Sequence, residues 1–103
     1  MGKEVFYDRN ALKELKGFSI DVQREFQVYI TILAVEGKLE FPEARKVTRE
    51  LFEIRVTQGG AYRGFYAYVK GQHIVILHFF QKKTQKTPPT NIKLAQQRLK
   101  KYV

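Results

Sequence analysis

The chain predicts an α+β domain: an N-terminal strand and helical hairpin, an antiparallel sheet made of a three-strand meander plus the N-terminal strand, and a C-terminal helix. Three observations carry this expectation. Apolar residues recur at helical spacing as far as Gly37, the period drops to two from Leu51, and two short glycine-containing turns divide the alternating runs. Turns that short force neighbouring strands to run antiparallel. A chain of 103 residues has room for one core, so residues 1–103 are expected to form a single domain, with no repeat and no linker.

Taken in order, residues 4–7 read as a short strand. Asp8 or Asn10 caps a brief helix through Leu12 and Leu15 that stops at Gly17. Ser19 caps a longer helix, in which Val22, Phe26, Ile30 and Leu33 form one buried face before Gly37 ends it. Residues 41–47 read as a connector, with room for one helical turn after Pro42. Strands follow at 51–57, 62–69 and 72–81, turning at Gly59-Gly60 and Lys70-Gly71. Ile74, Val75, Ile76 and Leu77 form an unbroken apolar row, which implies a strand covered on both faces. Thr87 is placed to cap the last helix and Pro88 to open it. Ile92, Leu94, Ala95, Leu99 and Tyr102 give that helix its apolar side, and Lys93, Arg98, Lys100 and Lys101 its charge, with Lys101 on the exposed side. The helices are expected on one side of the sheet.

Charge divides the chain in two. Up to Glu53, the last acidic residue, ten Asp and Glu oppose nine Lys and Arg; the fifty residues beyond it carry ten Lys and Arg and no carboxylate. The halves therefore stand at −1 and +10. Such a basic half suits a polyanion: a phosphate backbone, an acidic protein or anionic lipid. It cannot supply the carboxylates that hold Mg²⁺ or Mn²⁺, so phosphoryl chemistry sited there would run on Arg, Lys, His, Tyr and Thr, without a metal site and without a cofactor. Cysteine is absent, which removes thiolate nucleophiles and Cys-based zinc sites and fits a reducing cytoplasm. No apolar run approaches the ~20 residues of a membrane span and no signal peptide is evident, so the chain reads as soluble and cytoplasmic, with no membrane partner.

The residues able to carry chemistry lie in the basic half. Arg55 and Arg63 flank the Gly59-Gly60 turn, so the hairpin folds their guanidiniums back toward each other. They are either a fork for a phosphate and for the extra charge of a phosphorane, or two solvated arginines. His78 stands among Leu77, Phe79 and Phe80, as a packed core histidine or as the proton carrier of an acid-poor half. Directly after it, Lys82, Lys83, Thr84 and Lys86 form a loop that is either solvated charge or a clamp for successive phosphates. Tyr66 and Tyr68 are candidates for stacking a base, or else strand formers in a half-buried sheet.

Read as one series, Leu51-Phe52-Glu53-Ile54-Arg55, Tyr62-Arg63, Ile76-Leu77-His78, Lys82-Lys83-Thr84-Gln85-Lys86-Thr87-Pro88, Ala95 and residues 99–102 resemble the RelE/HigB-type toxins of bacterial toxin–antitoxin systems, in particular the phage-derived HigB-like subgroup. The resemblance implies a RelE-like fold and a type II toxin that enters the ribosome and cuts messenger RNA without a metal, the ribose 2′-hydroxyl attacking the adjacent phosphorus. It implies two partners, the ribosome with its messenger RNA and a HigA-like helix-turn-helix antitoxin. Arg63 matches the arginine assigned to the scissile phosphate and Arg55 that of the preceding strand, whereas Glu53 stands where a lysine of the best-known RelE proteins would fall. On this reading Arg63, His78, Lys83 and Arg55 are the catalytic set, and Lys82, Lys86, Thr84, Tyr66 and Tyr68 contact RNA. Two other classes remain open: a non-catalytic RNA-binding module, and a ParE-like gyrase-inhibiting toxin on the same fold.

Overall fold

The computed structural model describes residues 3–103, Gln72 by its backbone alone. The elements run β1 (Val5–Tyr7), α1 (Arg9–Lys16), α2 (Ile20–Glu36), β2 (Ala44–Lys46), β3 (Phe52–Thr57), β4 (Ala61–Val69), β5 (His73–Lys82) and α3 (Pro89–Leu99). One five-stranded sheet has the order β1-β5-β4-β3-β2. Local chemistry sets the helix ends much as expected. The Asp8 carboxylate accepts from the backbone N–H of Asn10 and Ala11, Ser19 Oγ accepts from Val22, and Gly37 closes α2 at a φ of 82° that a side chain would resist. At α3 the start shifts by one residue: Pro88 is the cap and Pro89 the first helical residue, so Thr87 makes no cap.

Four expectations need correction. Residues 44–46 are a strand rather than part of a connector, pairing antiparallel with β3 so that Arg45 lies opposite Glu53. β1 pairs parallel with β5, which makes the sheet mixed; a strand that reaches the sheet through two helices is free of the direction a hairpin imposes. The helices occupy both faces. Ala11, Leu15, Val22, Phe26 and Ile30 of α1 and α2 pack on Ile54, Val56, Tyr66, Ile74, Ile76 and Phe79, whereas Ala95 and Leu99 of α3 pack on Phe65, Ala67, Val75, Leu77 and Phe80. The apolar row in β5 demands this, because its alternate residues bury on opposite sides. Finally, Lys101 is no free surface charge: its Nζ lies 3.0 Å from the Oδ2 of fully buried Asp8, which also accepts from the Tyr102 hydroxyl at 2.9 Å.

A register shift in the β4–β5 ladder determines what faces what. Phe65 pairs with His78 but Tyr66 pairs with Ile76, leaving Leu77 as an extra residue on β5. One extra residue reverses the facing of all that follows. His78 and Phe80 therefore look toward α3, and Phe79 looks toward α2, where its ring meets Phe26 edge to face at 4.9 Å. Gly64, opposite Phe79, makes room for that ring: a Cβ there would sit 2.8 Å from Phe79 Cε1.

Candidate functional site

On the α3 face, beyond the part that the helix covers, the sheet is polar. Arg55 and Arg63 are direct cross-strand partners in the β3–β4 ladder, as the hairpin predicted. Like charges so placed weaken a bare sheet, and two features offset the cost. Glu53, fully buried on the same face, receives the Arg45 Nε at 2.6 Å and stands 3.7 Å from the Arg63 Nε. Arg63 also donates from Nη1 to the Tyr62 carbonyl at 2.9 Å, which fixes the guanidinium plane. The face the sequence presents as carboxylate-free thus holds one carboxylate at its centre, contributed by the acidic half. It anchors arginines and leaves the site cationic.

Arg55, Ala61, Arg63, Lys82, Lys83, Thr84 and Gln85 line an open groove of about 480 Å³. Burial lowers the pKa of the Arg63 guanidinium, partly offset by Glu53 and reinforced by Arg55 and Arg45. Burial likewise pushes the Lys82 ammonium below its ordinary value, and Arg63 adds to this while Glu53 opposes it. A lysine of that kind releases a proton more readily than a solvated one. Lys83 is exposed at the rim, and the Thr84 hydroxyl donates to the Lys86 carbonyl at 2.6 Å, shaping the loop. Lys86 is exposed and lies outside the groove lining. Among the described residues no three of His, Cys, Asp and Glu gather to hold a metal ion, and no helix is long and apolar enough to cross a membrane.

Besides Lys86, three sequence candidates are elsewhere. Tyr66 is 1% exposed on the α2 face, and Tyr68, on the same face, donates its hydroxyl to the Gly37 carbonyl at 2.8 Å, so neither ring is open to a base in the groove. Alternation along β4 decides this, since Arg63 and Phe65 face one way and Tyr66 and Tyr68 the other. His78, 5% exposed, does not line the groove. Its Nδ1 lies 2.9 Å from Glu14 Oε1 and its Nε2 2.6 Å from Asn91 Oδ1, so both ring nitrogens are engaged.

The His78 surroundings form a second polar cluster, which closes an open sheet edge. β1 covers β5 only as far as Ile76, and side chains take over from there. Glu14 Oε1 accepts from the Phe79 N–H at 3.1 Å, and Arg98 Nη1 donates to the Leu77 carbonyl at 2.8 Å. Arg98 and Glu14 also pair with each other at 2.9 and 3.0 Å, tying α1, β5 and α3 together. Burial works to raise the Glu14 pKa, but the hydrogen bonds from His78, Arg98 and Phe79 and the His78 charge outweigh it and bring it from 4.5 down to about 2. A depressed carboxylate stabilises the fold above its unfolded value and stops doing so as the pH falls through its folded value. Stability is therefore expected to drop between pH 4.5 and about 2, by on the order of 2–3 kcal/mol. Urea midpoints followed across that range check this, with Glu14→Gln expected to flatten the dependence.

Arg45 and Glu53, which stand behind the groove's Arg63 without lining the groove, are the residues that sequence reasoning missed in their roles. Three residues of β2 are too few to show a period, and a carboxylate that anchors arginines has the same sequence signature as any other. Residues 13–100 match the family model of the phage-derived protein Gp49-like (DUF891). The chain belongs to that Gp49-like family. Its fold is that of the RelE toxins. The Gp49-like chain aligns end to end with a double arginine-to-alanine mutant of the E. coli toxin RelE in the free state, both chains covered at 100%, with a TM-score of 0.69 and 12% identity. The isolated E. coli RelE toxin in a P21 crystal form gives 0.65 at 13% identity, over 88% of this chain and 96% of that one. The archaeal RelE–RelB complex from Pyrococcus horikoshii OT3 gives 0.54 at 25% identity, over 79% of this chain and 96% of its counterpart. No curated protein matches the Gp49-like chain in sequence.

Proposed function

We propose that this Gp49-like protein is the toxin of a type II toxin–antitoxin pair and acts as a metal-independent endoribonuclease on ribosome-bound messenger RNA. The observation that carries the reading is the convergence of Arg55, Arg63, Lys82 and Lys83 in one groove, two of them partly desolvated, on a RelE-like sheet. Two guanidiniums facing each other across a ladder suit a phosphodiester better than water, because an anion between them removes their repulsion.

In this reading the ribose 2′-oxygen forms a bond to the adjacent phosphorus as the bond to the 5′-oxygen breaks. Arg63 and Arg55 carry the extra negative charge of the phosphorane, a role for which Arg63 is preorganised by Glu53 and the Tyr62 carbonyl. Lys82, rather than buried His78, moves the proton at the 2′- or 5′-oxygen, since it faces the groove with a lowered pKa. Lys83, Lys86 and Thr84 position the RNA strand, and His78 holds α3 against the sheet. The products carry a 2′,3′-cyclic phosphate and a 5′-hydroxyl. Mapping both new ends after incubation with translating ribosomes tests this; 5′-phosphate ends would mean that water attacks instead and would overturn the mechanism.

The antitoxin is expected to be a helix-turn-helix protein encoded beside the toxin. The pairing of RelE with RelB in the archaeal complex supports a dedicated inhibitor, and the +10 half offers it an electrostatic target. Induction of the toxin alone is expected to halt growth, and co-expression of the neighbouring gene to restore it.

A further inference from the structure

With Tyr66 and Tyr68 on the far face, the groove offers cations to phosphates but its lining contains no aromatic ring. Phe41 lies beside it. At 71% exposure it is the most exposed aromatic among the described residues, on the segment that leads from α2 into β2. A phenyl ring left in water forgoes the stabilisation of burial, so its position invites a reason. Arg55 provides one: its guanidinium carbon lies 6.0 Å from the ring centroid of Phe41, in a cation–π contact, while the same side chain lines the groove. The arginine occupies one side of the ring, and the exposure leaves surface open to a flat partner.

The charges nearby give a direction. On one side of Arg55 stand Arg63, Lys82 and Lys83. On the other, a cleft of about 300 Å³ is lined by Glu25, Tyr29, Pro42, Glu43, Arg55 and Thr57, and its two carboxylates repel phosphate. A nucleic acid strand crossing the sheet from β5 toward β3 would therefore reach Arg55, with its first open ring, Phe41, beside that arginine. Single-strand readers combine a cationic track for the backbone with an aromatic face for the base.

We infer that Phe41 is a stacking shelf for an unpaired nucleobase whose adjoining phosphate is held by Arg55. The inference rests on the groove being an RNA site, and it adds a base-contacting subsite at the sheet edge. Stacking of this type is sequence-tolerant, so the shelf orders a nucleotide next to the scissile one without choosing its identity.

The test uses the full chain and a short 2′-O-methylated single-stranded oligoribonucleotide, which lacks the attacking hydroxyl and stays intact. An abasic oligomer with the same number of phosphates is the comparison. Phe41→Ala is expected to weaken binding of the base-containing oligomer by about 5- to 150-fold and to leave the abasic one unchanged. Because the chain has no tryptophan, Phe41→Trp introduces a single reporter whose fluorescence should be quenched by the base-containing oligomer alone. Unchanged affinity in Phe41→Ala together with an unquenched Phe41→Trp would overturn the inference and leave the groove reading standing. Equal weakening toward both oligomers would overturn it as well, since the loss would then be electrostatic. Should the wild-type chain bind neither oligomer, the RNA reading of the groove would fall, and the shelf with it.

Discussion

Single-turnover cleavage by Arg63→Ala is expected to run about 10² or more slower than wild type, roughly 2.7 kcal/mol of lost transition-state stabilisation, with ribosome affinity little changed. The reason is local. Arg63 is 6% exposed, braced by Glu53 and the Tyr62 carbonyl, and lines the groove from a largely desolvated position. Its interaction should therefore grow as charge accumulates on phosphorus. Arg55→Ala, at a more open position, should cost less. Lys93→Ala, exposed on α3, is the comparison for general attraction: binding should weaken slightly, the salt slope should fall by about 0.7 at most, and the chemical step should be untouched. Lys101 cannot serve in that role, because its loss would leave buried Asp8 short of a partner. Because Arg63→Ala also leaves Glu53 with Arg45 as its remaining partner, thermal melts must accompany the kinetics. A folded Arg63→Ala that cleaves at the wild-type rate would remove the arginine from the mechanism.

Arg98→Ala is expected to cause the largest loss of stability, on the order of 3–5 kcal/mol, the usual cost of breaking a buried charge pair from one side. Glu14 Oε2 and the Leu77 carbonyl at the uncovered part of the β5 edge lose the arginine together, and Glu14 Oε1 is left with His78 and the Phe79 N–H. The melting temperature should fall by roughly 15–25 °C. Removing both charges in Arg98→Ala/Glu14→Ala should cost less than the two single changes added together, since neither charge is then left without the other. Strict additivity in that cycle would show that the two side chains act independently, and that α3 is held by its apolar contacts with Phe65, Val75 and Leu77 alone.

Much of this could be read from the chain. The caps at Asp8, Ser19 and Gly37, the β3–β4 turn at Gly59-Gly60 and the two-faced burial of β5 all follow from chemistry local in sequence, and each is as expected. The facing of Arg55 and Arg63 follows too, because a hairpin of known turn position defines its own register. The split of charge at Glu53 located the basic half.

The rest depended on contacts between residues far apart. Glu14 meets Arg98 across 84 positions, and no local pattern announces that a carboxylate in α1 will close the edge of β5. The parallel direction of β1 and the side taken by α3 depend on which sheet edge and face are left uncovered once the meander forms. The extra residue at Leu77 put His78 on the groove's own face, but under α3, where Glu14 and Asn91 engage both ring nitrogens, and the alternation of β4 buried Tyr66 and Tyr68 on the opposite side. Sequence by itself determined which residue types were present for anion chemistry and which helices and hairpin would form. Tertiary structure decided which of them share one surface, because a strand's facing reverses with each residue and a helix packed over part of a face turns a candidate catalytic histidine into a structural one.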